Sequence, residues 1–202
     1  FVKKFSDFGD DVIALTRIAK RENPKMKTFL LGHSLGGAIA IDTLAREQAL
    51  FDAAVISAPA VRVDPTQVTP TLIAMVRLLS SVVPRAPIEK LNIHTLCLAP
   101  TVVDLYMNDP LVNRNPLQAR LAGEALSFQD NIKQIAPKIK LPFLLIHGTN
   151  DHMVALAGSE EFLALASSTD KKFTRVEGGY HEVLNENPEM VKAVVAYFVS
   201  RL

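Results

Sequence analysis

The chain has 202 residues, of which 49% are hydrophobic and 21% are charged, and its formal net charge is +1. These proportions are typical of one globular domain with a sizeable core, and they exclude disordered and collagen-like classes. No run of Lys or Arg is present that could neutralise a row of phosphates, so we expect no nucleic-acid partner. The single cysteine, Cys97, excludes an internal disulfide and favours a reducing, cytoplasmic setting.

Strands and helices are predicted to alternate along the chain. A first helix is predicted to begin at a capping Ser6, and a short strand over residues 27–31 leads through a turn into a helix over residues 36–46. This alternation predicts an α/β fold with a mostly parallel sheet, helices on both faces, and a ligand crevice at the carboxyl ends of the strands. The later buried strands are predicted over residues 51–57, 142–148 and 171–179.

The segment over residues 59–141 has helical patterns but no convincing buried strand. We therefore predict a core formed by residues 1–58 and 142–202, with a helical cap, or lid, inserted over the site. The helix over residues 71–83 is apolar on one broad face and is too short to span a bilayer. Two interpretations of this face remain open, a packed core or a lid that lines an acyl channel and rests on a membrane interface.

The pentapeptide Gly32-His33-Ser34-Leu35-Gly36 lies where the first strand meets the second helix. A G-x-S-x-G pattern in this context is typical of a nucleophile elbow, in which serine is strained and the two glycines prevent clashes. A serine nucleophile needs a base within hydrogen-bond reach and a third group that orients this base. The N–H of Leu35, at the start of the helix, is predicted to donate to a developing oxyanion.

Two candidate partners for Ser34 follow later strands. Asp151 comes just after the strand "PFLLIHG", and His181 comes just after the strand that ends in "EGG". The order Ser, Asp, His along the chain is that of α/β-hydrolases. Taken singly, Asp151 is also compatible with a turn residue and His181 with a surface histidine, and His147, Asp151 and His152 leave a metal site as an alternative.

Four segments resemble the monoacylglycerol lipase family of serine α/β-hydrolases: "FLLGHSLGGAIAI", "VDLYMNDPLV", "PFLLIHGTNDHMV" and "EGGYHEVLNENPE". The resemblance runs from Phe8 to the carboxyl terminus. It implies an α/β-hydrolase fold with the amino-terminal part of the fold absent. It also implies cleavage of monoacylglycerols, or similar lipid esters, to fatty acid and glycerol through an acyl-enzyme.

The resemblance assigns roles to individual residues. It implies that Ser34 is the nucleophile, Asp151 the orienting acid and His181 the general base, and that His33 and Tyr106 contact the glycerol end of the substrate. The second oxyanion donor of the family lies in a loop that we expect to be missing from this chain. No metal or organic cofactor is implied.

The expected partners are a lipid ester and, through the cap, the surface of a membrane. The oligomeric state is not indicated. Alternatives are a lysophospholipase, a general carboxylesterase or a cofactor-free perhydrolase of the same fold. A different class of alternative is an inactive fragment that serves as a binding module.

Overall fold

The computed structural model describes residues 1–64, 68–89, 96–97, 99–113 and 115–202. Four of the strands form one parallel sheet in the order β1-β2-β5-β6, and β3 and β4 form a separate antiparallel pair. The predicted, mostly parallel sheet is therefore confirmed. The strands are β1 (Phe29–His33), β2 (Ala53–Ser57), β3 (Pro87–Glu89), β4 (Leu117–Gln118), β5 (Phe143–Gly148) and β6 (Lys171–Val176).

Helices precede, separate and follow these strands. Two short 3₁₀ turns, Gln48–Leu50 and Ala136–Lys138, connect helices to the strands that follow. Of the described helices, none is long and apolar enough to cross a membrane. The α-helices are α1 (Ser6–Glu22), α2 (Leu35–Glu47), α3 (Pro70–Val82), α4 (Pro100–Asn108), α5 (Ala119–Asp130), α6 (Ile132–Ile135), α7 (Leu156–Leu165), α8 (Val183–Glu186) and α9 (Pro188–Val199).

The two central strands, β2 and β5, are buried along their whole length. Because alternate side chains of a strand point to opposite faces, β2 contributes to two hydrophobic clusters. Ala54 and Ile56 pack with α2 and α7 on one face, while Ala53 and Val55 pack with Val194 of α9 on the other. Coverage of both faces explains why these strands read as nearly continuous apolar runs in the sequence.

The register of the parallel sheet brings the carboxyl ends of its strands together. His33 at the end of β1 pairs with Ser57 at the end of β2, and Gly148 at the end of β5 pairs with Val176 at the end of β6. Residues that directly follow β1, β5 and β6 therefore meet at one edge of the sheet.

Four of the described helices, α3, α4, α5 and α6, lie between β2 and β5 in the chain, within the predicted cap. Helices α3 and α5 pack closely, since a Cβ atom added at Gly123 would lie 2.3 Å from the Ser80 hydroxyl. Residues 65–67, 90–95, 98 and 114 of this segment lie outside the described part of the chain. The division into core and cap remains a prediction.

One local prediction needs correction. Ser6 is the first residue of α1 and caps nothing, because the N-cap residue is Phe5 and no side-chain cap bond forms.

The apolar face of α3, for which a packed core and an exposed lid both remained open, is buried only in part. Val76 is buried, whereas Met75 and Val83 are 49% exposed because their side of the helix lacks a covering element among the described residues.

Candidate active site

Ser34 occupies the sharp turn between β1 and α2, in a strained backbone conformation. Its φ of 56° and ψ of −122° lie in a region that non-glycine residues rarely adopt, at a cost of about 1–3 kcal/mol. Hydrogen bonds hold this backbone from several directions. The Ser34 N–H donates to Ser57 O, and the Ser34 carbonyl accepts from the N–H groups of Gly37, Ala38 and Ala60. These bonds fix the Ser34 side chain above the edge of the sheet.

The glycines around Ser34 differ in whether the surrounding structure leaves room for a side chain. A Cβ atom at Gly32 would lie 2.4 Å from the carbonyl oxygen of Gly36, so the close approach of β1 to α2 requires glycine there. A Cβ atom at Gly36 would meet nothing within 4 Å, so the prediction that Gly36 prevents a clash is wrong. The close contact lies one residue later, where a Cβ atom at Gly37 would come within 2.9 Å of Pro59.

Ser34, His181 and Asp151 form a continuous hydrogen-bonded series. His181 Nε2 lies 2.8 Å from Ser34 Oγ, and His181 Nδ1 lies 2.7 Å from Asp151 Oδ2. His181 is only 2% exposed, and its bond to Asp151 is buried. Three residues that are distant in the sequence are thus brought together in the order nucleophile candidate, base candidate, acid candidate.

The Asp151 carboxylate is fully enclosed and well supplied with donors. Its Oδ1 accepts from the backbone N–H groups of Met153, at 2.8 Å, and Val154, at 3.1 Å. Burial raises the pKa of Asp151, but the interactions with His147 and His181 lower it by a larger amount. The pKa of Asp151 therefore falls well below its ordinary value. Asp151 is therefore ionised at neutral pH and favours the tautomer of His181 that carries its proton on Nδ1.

The loops that carry Asp151 and His181 touch through their backbones. Asn150 N donates to Gly179 O at 2.9 Å, and Thr149 N donates to Val176 O at 2.9 Å. A Cβ atom at Gly148 would lie 2.2 Å from Gly179 O, so only glycine permits this approach. The separation of the acid and the base is thus set by backbone contacts at the ends of β5 and β6.

His33 and Glu182 form a second polar pair beside this series. His33 Nε2 lies 3.3 Å from Glu182 Oε1, and His33 Nδ1 lies 3.2 Å from Ser57 Oγ. The interaction with His33 lowers the pKa of Glu182 below its ordinary value. The sequence analysis missed Glu182 and Ser57. Two sequence features could have identified them. Glu182 directly follows His181, and Ser57 lies at the end of a central strand.

Tyr106 is placed away from the hydrogen-bonded series. It lies on α4, in the wall of a cavity of about 740 Å³ that Val102, Leu105 and Asn185 also line, and none of Ser34, Asp151 and His181 lines this cavity. The role of Tyr106 in contacting a substrate remains a prediction, as does that of His33.

Leu35 is the first residue of α2, so its N–H has no acceptor within the helix and lies one residue from Ser34. This placement suits the predicted oxyanion donor. Its role, and the location of a second donor, remain predictions.

The alternative metal ligands, His147, Asp151 and His152, are not the side chains whose potential ligand atoms the fold brings together. Among the described residues, His33, His181 and Glu182 each have one potential ligand atom within 4.8 Å of the other two.

Comparisons with known proteins identify the family of the chain. The family described as serine aminopeptidase, S33, matches residues 1–188. A monoacylglycerol lipase of Mycolicibacterium smegmatis is 32% identical over 203 residues, covering all of this chain and 72% of that protein. Human monoglyceride lipase is 32% identical over 193 residues, covering 96% of this chain and 64% of the human protein. The chain thus spans about two thirds of the length of these relatives.

Solved structures show the same fold. The crystal structure of Paleococcus ferrophilus monoacylglycerol lipase superposes with a TM-score of 0.88 at 25% identity, covering 98% of this chain and 76% of that one. A carboxyl esterase from Bacillus coagulans in complex with glycerol gives a TM-score of 0.82 at 18% identity, which supports the fold alone. The fold is that of the α/β-hydrolases, and the chain belongs to the serine aminopeptidase S33 family in its monoacylglycerol lipase branch.

Proposed function

We propose that the chain is the catalytic part of a serine hydrolase that cleaves monoacylglycerols, or closely similar lipid esters, through an acyl-enzyme. The observation that supports this most directly is the 2.8 Å contact between Ser34 Oγ and His181 Nε2, in series with the buried Asp151. The substrate class is taken from the relatives named as monoacylglycerol and monoglyceride lipases.

In the proposed mechanism, His181 Nε2 takes the proton of Ser34 as the hydroxyl oxygen attacks the ester carbonyl. Asp151 accepts a hydrogen bond from His181 Nδ1 and stabilises the imidazolium that forms. His181 then gives the proton to the leaving glycerol oxygen. Water, deprotonated by His181, finally attacks the acyl group. The bond from the acyl group to Ser34 Oγ then breaks, His181 returns the proton to Ser34 Oγ, and the fatty acid is released.

The oxyanion that develops in each step is proposed to accept a hydrogen bond from Leu35 N–H at the amino terminus of α2. The positive end of the helix dipole favours negative charge at this place. Each oxyanion donor contributes about 2.7–4 kcal/mol to transition-state stabilisation, so a second donor is needed for full activity.

The cap is proposed to rest on the membrane surface from which a lipid substrate is drawn. On α3, Met75, Leu78 and Val82 recur at helical spacing and are 49%, 62% and 69% exposed. Apolar side chains on one face of an exposed helix are suited to partition into the interfacial region of a bilayer.

The experiment that tests the proposed chemistry is labelling of the chain with a fluorophosphonate, followed by peptide mapping of the adduct. We expect one adduct, on Ser34, which is lost on heat denaturation. Ser34→Ala should remove the adduct without loss of the fold, which circular dichroism would check. A folded chain that remains unlabelled, or that is labelled on another serine, would contradict the assignment.

The substrate class needs a separate measurement, because fluorophosphonates report only an activated serine. Turnover of a long-chain monoacylglycerol should exceed that of a lysophospholipid and of a short p-nitrophenyl ester. Faster turnover of the lysophospholipid would favour the lysophospholipase alternative, and a preference for the short ester would favour a general carboxylesterase.

A further inference from the structure

Three side chains with metal-ligand atoms converge beside Ser34. His33, His181 and Glu182 each place one such atom within 4.8 Å of the other two. His33 Nε2 and Glu182 Oε1 are 3.3 Å apart. This distance equals the edge of a tetrahedron around an ion with bonds of about 2.0–2.1 Å, the length usual for zinc with nitrogen and oxygen ligands.

The rings of both histidines are oriented by a hydrogen bond at one nitrogen, as is common for metal-binding histidines. In such sites one ring nitrogen binds the ion while the other donates to a carboxylate, a carbonyl or another oxygen that fixes the ring. His181 Nδ1 lies 2.7 Å from Asp151 Oδ2, and His33 Nδ1 lies 3.2 Å from Ser57 Oγ. In both rings Nδ1 is thus occupied and Nε2 is left to bind an ion, with His33 Nε2 facing Glu182 and His181 Nε2 facing Ser34 Oγ.

Glu182 is anchored in the same manner and is accessible. Its Oε2 accepts from Asn185 Nδ2 at 2.7 Å, which leaves Oε1 directed toward His33. The side chains of His33 and Glu182 are 26% and 23% exposed, so an ion can enter from solvent.

We propose that His33, His181 and Glu182 form a binding site for Zn²⁺ or a similar divalent transition-metal ion, and that the bound ion inhibits reaction at Ser34. Two neutral imidazoles and one carboxylate are a ligand set that favours zinc over Mg²⁺, which prefers oxygen ligands. Three protein ligands leave a fourth position of the tetrahedron for water.

The bound ion is expected to inhibit reaction at Ser34 because it would occupy the lone pair of His181 Nε2. His181 Nε2 is the atom that faces Ser34 Oγ at 2.8 Å. Once that lone pair is coordinated, it cannot accept the proton of Ser34. The metal site itself does not depend on the proposed function, whereas the inhibition does.

The site is tested first by direct binding, with calorimetric titration of Zn²⁺ alone into the chain and the visible absorption of Co²⁺ as a report of tetrahedral coordination. Glu182→Gln keeps the shape of the side chain but removes the anionic ligand. The matched control is Glu189→Gln, because Glu189 is an exposed carboxylate that pairs with Lys192. We expect Glu182→Gln to weaken Zn²⁺ binding by at least about tenfold and the control to bind as the wild type does. Equal affinities in all three proteins would overturn the site.

The inhibition is tested by the rate of fluorophosphonate labelling of Ser34. Zn²⁺ should slow the labelling of the wild type, EDTA should restore it, and Mg²⁺ should have no effect. Zn²⁺ that binds without slowing the labelling, or that slows it equally in Glu182→Gln, would overturn the inhibition. Failure of the proposed function would be recognised separately, as a chain that binds Zn²⁺ but remains unlabelled even in EDTA.

Discussion

His147 lies 3.2 Å from Asp151 through its Nε2 and the carboxylate Oδ2, and both side chains are completely shielded from solvent. The geometry is too bent for a regular hydrogen bond, so His147 Nε2 has no well-aligned acceptor within the described part of the chain. His147 Nδ1, by contrast, lies 2.7 Å from the hydroxyl of Ser159. Of the two ring nitrogens of this buried histidine, only Nδ1 therefore has a regular hydrogen-bond partner.

This contact predicts that His147 positions the acid of the site. His147→Phe should lower kcat with little change in KM, because it removes a positive dipole from Asp151 Oδ2. The pH dependence of kcat/KM should also change, because the interaction with His147 lowers the pKa of Asp151 and a Phe side chain supplies no such interaction. The measurement is ester hydrolysis from pH 5 to pH 9.

A control separates positioning from a purely structural role. His147→Phe also leaves the buried Ser159 hydroxyl without its partner, which should cost about 1–3 kcal/mol of stability. His147→Gln supplies an amide donor and should restore part of kcat. An unmoved pH profile in both variants, with only a lower stability, would assign His147 to packing alone.

Gly32 and Gly36 provide a matched pair of substitutions at the turn. Gly32→Ala should destabilise the chain by about 1–3 kcal/mol, because its Cβ atom would meet the Gly36 carbonyl oxygen at 2.4 Å. Gly36→Ala, within α2 and with open space around it, should raise stability by about 0.5–1 kcal/mol through helix propensity. Urea unfolding at equilibrium measures both changes, and equal effects would contradict the assignment.

Asp52 should make the stability of the β1–β2 pair depend on pH. Lys27 Nζ and Thr28 N each donate to its carboxylate at 2.8 Å, and these bonds lower the pKa of Asp52. A lowered folded-state pKa means that the stabilisation is complete above the ordinary pKa of about 3.9 and is lost as the pH falls through the folded-state value. Asp52→Asn should therefore reduce stability at pH 7 and make less difference at pH 3. Urea unfolding at both values tests this, and an equal reduction at pH 3 would exclude the mechanism.

The proposed membrane contact predicts a result that depends on position. Leu78→Glu, on the exposed side of α3, should weaken binding to phosphatidylcholine vesicles by roughly tenfold, because an apolar side chain can no longer enter the interface. Leu15→Glu adds the same charge at a residue of α1 that is 69% exposed and should have little effect. Vesicle co-sedimentation measures both. Similar losses in the two variants would show an effect of charge rather than a contact through α3.

The sequence predicted the central sheet well, because β2 and β5 are apolar runs buried on both faces. It also predicted which three residues would meet, and the structure brings Ser34, Asp151 and His181 into hydrogen-bonded contact. Each of them lies in the turn or loop that follows a strand of the parallel sheet, so their proximity depends on topology rather than on the details of packing.

The parts that escaped prediction depend on tertiary contacts. His33 and Glu182 are 149 residues apart, and nothing in either local sequence specifies their pairing. The need for glycine at position 37 rather than 36 depends on where Pro59 passes over α2. The β3–β4 pair is short, and both residues of β4 are exposed, so the sequence gives no apolar pattern there.

The hydrogen bond from Ala60 N to Ser34 O links the strained turn to the segment that leads into the predicted cap. The carbonyl of Ala60 in turn accepts from Gln129 Nε2 of α5, at 3.0 Å. Two hydrogen bonds that meet at Ala60 thus connect α5 to the backbone of Ser34. A displacement of α5 that pulled on Ala60 would loosen one of the bonds that keep Ser34 at positive φ. The conformation of the serine is therefore coupled to the position of α5, even though no side chain of that helix has to touch its hydroxyl.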